Sequence, residues 1–133
     1  MFPESFRELL ESPGVVVVST VEPDGTPHSS ATWYLLDDDG RMKLSLNGAR
    51  RKLQNLKRNP KVSLLFVDPQ NPHRTLELRG RASLAVDSDF SFRDKLGAKY
   101  DFDVSALDKP NETRYIVTIE PARVREWPPP KAA

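Results

Sequence analysis

Residues 45–67 read SLNGARRKLQNLKRNPKVSLLFV, and their reading decides the fold. Ser45 and Leu46 close a strand. From Arg50 to Asn59, Leu53 and Leu56 stand three residues apart among cations and amides, the spacing of a short amphipathic helix, and Asn59-Pro60 stops it. Lys61 to Val67 then reads as another strand. First-turn amides of a helix have no partner inside it, and the peptide dipoles make that end positive. Arg50, Arg51 and Lys52 place three cations there, with Ser45 and Asn47 nearby. Cations at a helix start oppose the dipole unless an anion lies among them, which is the chemistry of a phosphate grip. The alternative is a solvated cationic face. Neither G-x-G-x-x-G after a strand nor G-x-x-x-x-G-K-[ST] occurs, so such a site is of neither the dinucleotide-binding nor the P-loop kind.

Upstream, Phe6, Leu9 and Leu10 mark a short helix between Phe2 and Glu11, stopped by Pro13-Gly14. Val15 to Val21 is a strand, Glu22 to Thr26 a tight turn, and His28 to Leu36 the returning strand. Asp37 to Gly40 turns the chain into Arg41 to Leu46. Downstream, Thr75 to Val86 follows a loop, Asp68 to Pro72, whose prolines argue against ladder pairing. Asp87 caps a helix running from Phe92 to Lys99, a polar connection with Pro110 follows, and Tyr115 to Ile119 begins a last strand that Arg123 to Trp127 extends. About six short strands with brief helices favour a closed antiparallel barrel over a parallel α/β sheet. Residues 1–127 form one domain, and residues 128–133 are a Pro-rich tail.

The 133 residues are one domain's worth and carry 20 Lys+Arg against 19 Asp+Glu, a net charge of +1. That balance removes any global electrostatic case for nucleic acid or an anionic membrane. There are no cysteines, so thiolate catalysis and Cys-based metal sites are excluded and a reducing, cytoplasmic setting is favoured. Val15 to Val18 is far shorter than the roughly 18 apolar residues of a membrane span, and no secretory leader is legible.

On the strand from Pro27 to Tyr34, His28, Ser30 and Thr32 face one way and Ser29, Ala31 and Trp33 the other. Either set can flank a planar ring or serve barrel packing. No nucleophile or orienting carboxylate stands beside His28, and His73 lies in a loop between Pro72 and Arg74. No catalytic side chain and no metal ligand set is therefore assigned.

The order T-V-E-P-D-G-T-P-H, a Trp-Tyr strand, S-L-N-G-A-R-R-K-L-Q-N-L-K-R-N-P-K-V-S-L-L-F-V-D and L-E-L-R-G-R-A resembles the pyridoxamine 5′-phosphate oxidase-like split β-barrel family. The resemblance runs from about Phe6 to Trp127, and A-R-R-K-L-Q-N-L-K-R-N-P is similar to the branch that uses the deazaflavin coenzyme F420. It implies a mainly β fold, a six-stranded antiparallel split barrel of the FMN-binding type with short flanking helices. It implies a homodimer with cofactor at the subunit interface, and an oxidoreductase passing a hydride between the deazaflavin C5 and a small organic acceptor. The implied cofactor-binding residues are His28, Ser30, Ala31 and Trp33 on the strand, with Ser45, Asn47, Arg50, Arg51 and Lys52 at the helix corner. His73, Arg74 and Thr75 stand where the family places a wall against substrate or the partner subunit. Competing readings are an FMN-dependent oxidoreductase on the same barrel and a non-catalytic carrier of flavin or deazaflavin. A nucleic-acid-binding barrel finds no aromatics among the cations of Arg50 to Arg58.

Overall fold

The computed structural model describes residues 2–131; Met1 of the expected domain and the last two residues of the expected tail lie outside them. A single antiparallel sheet curls around the core, with seven strands in the order β2-β1-β5-β6-β7-β4-β3. The chain is mainly β, of the split-barrel class, and two features depart from expectation. Among the described residues there are seven strands rather than six, and the hydrogen-bond ladder stays open between β2 and β3 instead of closing.

A 3-10 turn, Glu4–Phe6, leads into α1 (Arg7–Glu11), which lays Leu9 and Leu10 on the core. β1 (Val16–Val21) alternates strictly, burying Val16, Val18 and Thr20. Its hairpin partner β2 (Pro27–Thr32) follows a turn that Gly25 enters at φ +88°. The seventh strand arises because the segment expected as one strand from His28 to Leu36 breaks at Trp33-Tyr34, leaving β3 (Leu35–Leu36) separate. Tyr34 turns into the core, where its hydroxyl donates to the Leu9 carbonyl at 2.9 Å, and its N–H donates to Tyr100 Oη at 3.1 Å. A backbone N–H committed to a side chain cannot serve the ladder.

β4 (Met42–Asn47) leads into α2 (Arg51–Arg58) and then β5 (Lys61–Asp68). α2 lays Leu53 and Leu56 on the core, as their spacing predicts. The prolines after β5 do not open a loop. Asp68 pairs with Asn71, and β6 runs from Asn71 to Val86. Pro72 is tolerated because it lies in a register shift and because β7 first reaches β6 at Thr75, so its missing N–H falls at a free edge. α3 (Ser91–Lys99) follows, with Asp87 accepting from the backbone N–H groups of Phe92 at 3.3 Å and Arg93 at 2.8 Å. A 3-10 turn, Val104–Leu107, precedes β7 (Arg114–Trp127), which is continuous through Pro121. Pro128 to Lys131 are exposed and outside regular structure.

One core gathers Leu10, Val18, Leu44, Leu64, Leu78 and Val117, all fully buried; a second, smaller cluster joins Phe92, Leu96 and Val104. Among the described residues no helix is long and apolar enough to cross a membrane.

The β6–β7 ladder slips opposite Pro121, and there Gly80 meets its neighbour closely. A Cβ on Gly80 would stand 2.1 Å from the Glu120 carbonyl oxygen. Gly80→Ala is therefore expected to cost about 1–3 kcal/mol through strand displacement, measured as a lower midpoint in urea unfolding.

Candidate active site

A cleft of about 570 Å³ opens where β2, β4 and the start of α2 meet α3 and residues 104–112. Its near side is built from Ala31, Thr32 and Trp33; its floor from Ser45, Asn47 and Arg114; its cationic corner from Arg50 and Lys52. α2 begins without a side-chain cap and without an acidic residue in its first turn, so its positive end is unneutralised by the chain itself. Lys52 is 8% exposed and its Nζ donates to Ser30 Oγ at 3.1 Å. Burial, reinforced by the Arg50 charge, holds the Lys52 ammonium below its usual value. Among the described residues neither Arg50 nor Lys52 has a carboxylate partner.

The residues named from sequence do not all meet. Ala31, Trp33, Ser45, Asn47, Arg50 and Lys52 border the cleft, and Ser30 stands one step behind, on Lys52. Arg51 does not: it pairs with Glu22 at 2.8 Å on the outer surface. Arg51 and Lys52 are adjacent helical positions pointing about 100° apart, whereas Arg50 is the N-cap residue with extended backbone, φ −71° and ψ 140°, and so is not bound to the helical spacing. His28 lies further along β2 opposite Thr20, outside the cleft, with its Nδ1 buried and unpartnered. His73, Arg74 and Thr75 lie away from this chain's cleft, at the start of β6. Arg74 is held there by Asp68 and Glu8, each at 3.0 Å, and over the Phe6 ring at 4.3 Å. His73 is exposed, and Thr75 pairs with Trp127.

The far wall was not legible. Leu96, Val104, Leu107, Lys109 and Glu112 complete the cleft from α3 and the connection before β7. Their only sequence signal is charge, Lys109, Glu112 and Arg114 clustered in a segment otherwise read as a polar connection.

Trp33 is fixed from behind. Its indole stacks on Tyr100 at a centroid distance of 4.2 Å and 5° between planes, with Phe102 edge-on at 5.4 Å. The Tyr100 hydroxyl donates to the Gly14 carbonyl at 2.7 Å. Lys99 Nζ donates to the Tyr34 carbonyl at 2.8 Å and sits 3.8 Å from the Tyr34 ring centroid. Burial pushes the Lys99 ammonium down to about 8 and lifts the Tyr100 phenol to about 12.

The sequence profile described as pyridoxamine 5′-phosphate oxidase matches residues 2–128. The chain belongs to the pyridoxamine 5′-phosphate oxidase family. A search of curated proteins finds no match. Solved structures that resemble this family member include an F420 reductase, at 33% identity and a TM-score of 0.80 over 93% of this chain and 98% of that one. A conserved hypothetical protein from Mycobacterium tuberculosis matches at 25% identity and a TM-score of 0.77, covering 96% of this chain and 84% of its own. A putative pyridoxamine 5′-phosphate oxidase from Listeria innocua matches at 25% identity and a TM-score of 0.70, with 93% and 96% covered. The pyridoxamine 5′-phosphate oxidase-like family binds flavin-type cofactors.

The buried pair behind Trp33 sets a pH dependence. Between about pH 8 and the usual lysine value of 10.5, the unfolded chain holds a proton at Lys99 that the folded chain has released, so stability rises with pH. Between the usual tyrosine value of 10.0 and about 12, the folded chain keeps the Tyr100 proton that the unfolded one loses, so stability falls. Urea unfolding at a series of pH values should show a rise above pH 8 that Lys99→Met diminishes, with the depressed Lys52 contributing in the same direction.

Proposed function

We propose that this family member is an oxidoreductase that uses coenzyme F420, held with its phosphate at Arg50 and Lys52 and its ring along β2, to exchange a hydride with a small organic acceptor. The observation that carries this reading is the pair of cations without counter-charge at an uncapped helix start, inside a cleft of ligand size. The donor set suits a phosphate. Arg50 offers a planar fork, Lys52 a compact charge, and Ser45 and Asn47 neutral hydrogen-bonding groups on the same floor. The 33% identity to an F420 reductase, spanning nearly both chains, favours the deazaflavin.

When bound, the deazaflavin supplies the hydride from its ring carbon C5. The protein's own residues bind and orient. An anion between Arg50 and Lys52 offsets their mutual repulsion and favours the charged form of Lys52. Ser30 holds Lys52 Nζ in place from behind, and Trp33, fixed on Tyr100, gives the cleft a rigid aromatic side. Leu96, Val104 and Leu107 face it with apolar surface that excludes water. No side chain is assigned a proton-transfer step. Pairing of two such chains, with cofactor at the shared interface and residues 73–75 of each chain approaching the other's cleft, is part of the same proposal.

FMN is the second reading. The family profile and the 25% identity to the Listeria innocua protein favour it. Titration with each cofactor, followed by absorbance, separates the two. Arg50→Ala and Lys52→Ala should each weaken binding by about 1.5–3 kcal/mol per lost charged hydrogen bond; unchanged affinity in both would overturn the phosphate role. Saturable binding without turnover of any acceptor tried would leave a carrier in place of an enzyme.

A further inference from the structure

The far wall of the cleft is tied to the body of the protein by one carboxylate. The wall starts at Val104, buried against Phe92 and Leu96, and ends where Thr113 accepts a backbone hydrogen bond from Gly48 at 2.7 Å. Between these points Ser105 to Leu107 and Lys109 to Asn111 are exposed, whereas the Asp108 side chain is only 11% exposed. Asp108 Oδ1 accepts from Asn47 Nδ2 at 3.2 Å and from Arg114; its Oδ2 accepts from Arg93 Nη1 at 3.1 Å and Arg114 Nε at 3.3 Å. These donors belong to β4, β7 and α3. Among the described residues no other side chain from 103 to 112 hydrogen-bonds to a different element; Asp103, Ser105 and Glu112 bond only within the segment.

The donors are themselves held. Arg114 is 6% exposed and its Nη1 donates to the Ser45 carbonyl at 3.2 Å, on the cleft floor. The Arg93 guanidinium lies 4.1 Å from the Phe90 ring centroid, and Phe90 sits at φ +60°, a left-handed conformation that a bulky side chain adopts only where its surroundings impose it. Burial raises the Asp108 carboxyl, but the Arg114, Arg93 and Asn47 donors outweigh it and hold the group below the usual carboxylate range. A carboxylate with two guanidiniums and an amide, out of water, is costly to detach, because each partner would be left unpaired.

Beside the charged Lys109 and Glu112, the wall presents apolar surface to the cleft at Val104 and Leu107. Leu107, beside Asp108, borders the cleft and is 54% exposed. Asp108 also sets a negative charge beside Arg114 on the floor, whereas Arg50 and Lys52 at the opposite corner have no carboxylate partner among the described residues.

We propose that Asp108 is a positioning residue: its carboxylate latches residues 104–112 against the cleft floor so that Val104 and Leu107 cover the uncharged, ring-bearing part of the bound ligand. The ligand's place rests on the functional reading above; the latch itself rests on the hydrogen bonds of Asp108. The expected consequence is a division of labour, in which the Arg50–Lys52 corner captures the anionic end and the latched wall sets how long the ring stays.

The test uses Asp108→Asn and, in case that variant does not fold, Arg93→Gln, which leaves Arg114 as partner to the buried carboxylate. Amide hydrogen exchange in the ligand-free proteins should quicken by about tenfold in residues 104–112 while β1, β5 and β6 keep their protection. FMN and coenzyme F420, whichever binds, should dissociate about tenfold faster with little change in association rate. Affinity for inorganic phosphate should stay within about twofold of wild type, a readout that general structural damage would not spare. Unchanged exchange in residues 104–112, or cofactor and phosphate affinity falling together, would overturn the latch. Wild-type protein that takes neither cofactor overturns the functional reading instead, and the exchange measurement then decides the latch alone.

Discussion

Two cations held side by side at the positive end of a helix, with no carboxylate to answer them, organise this protein. Arg50 and Lys52 border the same cleft at the start of α2, and the burial that depresses the Lys52 ammonium shows the cost of keeping it there. Several other cations are answered: Lys43 and Lys95 by Asp37, Arg51 by Glu22, and Arg74 by Asp68 and Glu8. Arg50 and Lys52 differ from the chain's other unpaired cations in standing together in a concave site with Lys52 buried, where an anion lowers their energy.

The rest of the structure holds that corner and shapes what lies opposite it. β4 delivers the chain to α2, and Leu53 and Leu56 bolt the helix to the core, so the cations do not drift with a loop. The interruption after β2 gives up ladder hydrogen bonds at Trp33-Tyr34. In return Tyr34 enters the core and Trp33 becomes a stacked wall with Tyr100 behind it. The opposite wall is a short connection held at Val104 by the second apolar cluster and at Asp108 by buried charge. A rigid sheet carrying one fixed wall and one latched wall is a common way to position a site on connecting segments.

Much of the strand and helix order could be read along the chain, because hydrophobic periodicity and turn chemistry are local. The turns at Gly25 and Gly40, the helix over Leu53 and Leu56, and the Asp87 cap stand where their residues imply. The misreadings share a cause. Pro72 read as a break in the ladder, yet it falls at a register shift, which depends on a neighbouring strand. Trp33-Tyr34 read as ordinary strand, yet the partner that removes Tyr34 from the ladder is Tyr100, far along the chain.

The same division runs through the site. Sequence by itself determined that the chain is mainly β and that a cluster of cations sits at a strand-to-helix corner. Helix spacing and helix-end electrostatics need only near neighbours to be visible. Tertiary structure alone decided which cations share the cleft: α2 turns Arg50 and Lys52 into it and Arg51 out to Glu22. It also decided that residues near 108 stand across from residues near 50, because that meeting is made by β4 pairing with β7, a contact between distant segments that no local pattern encodes.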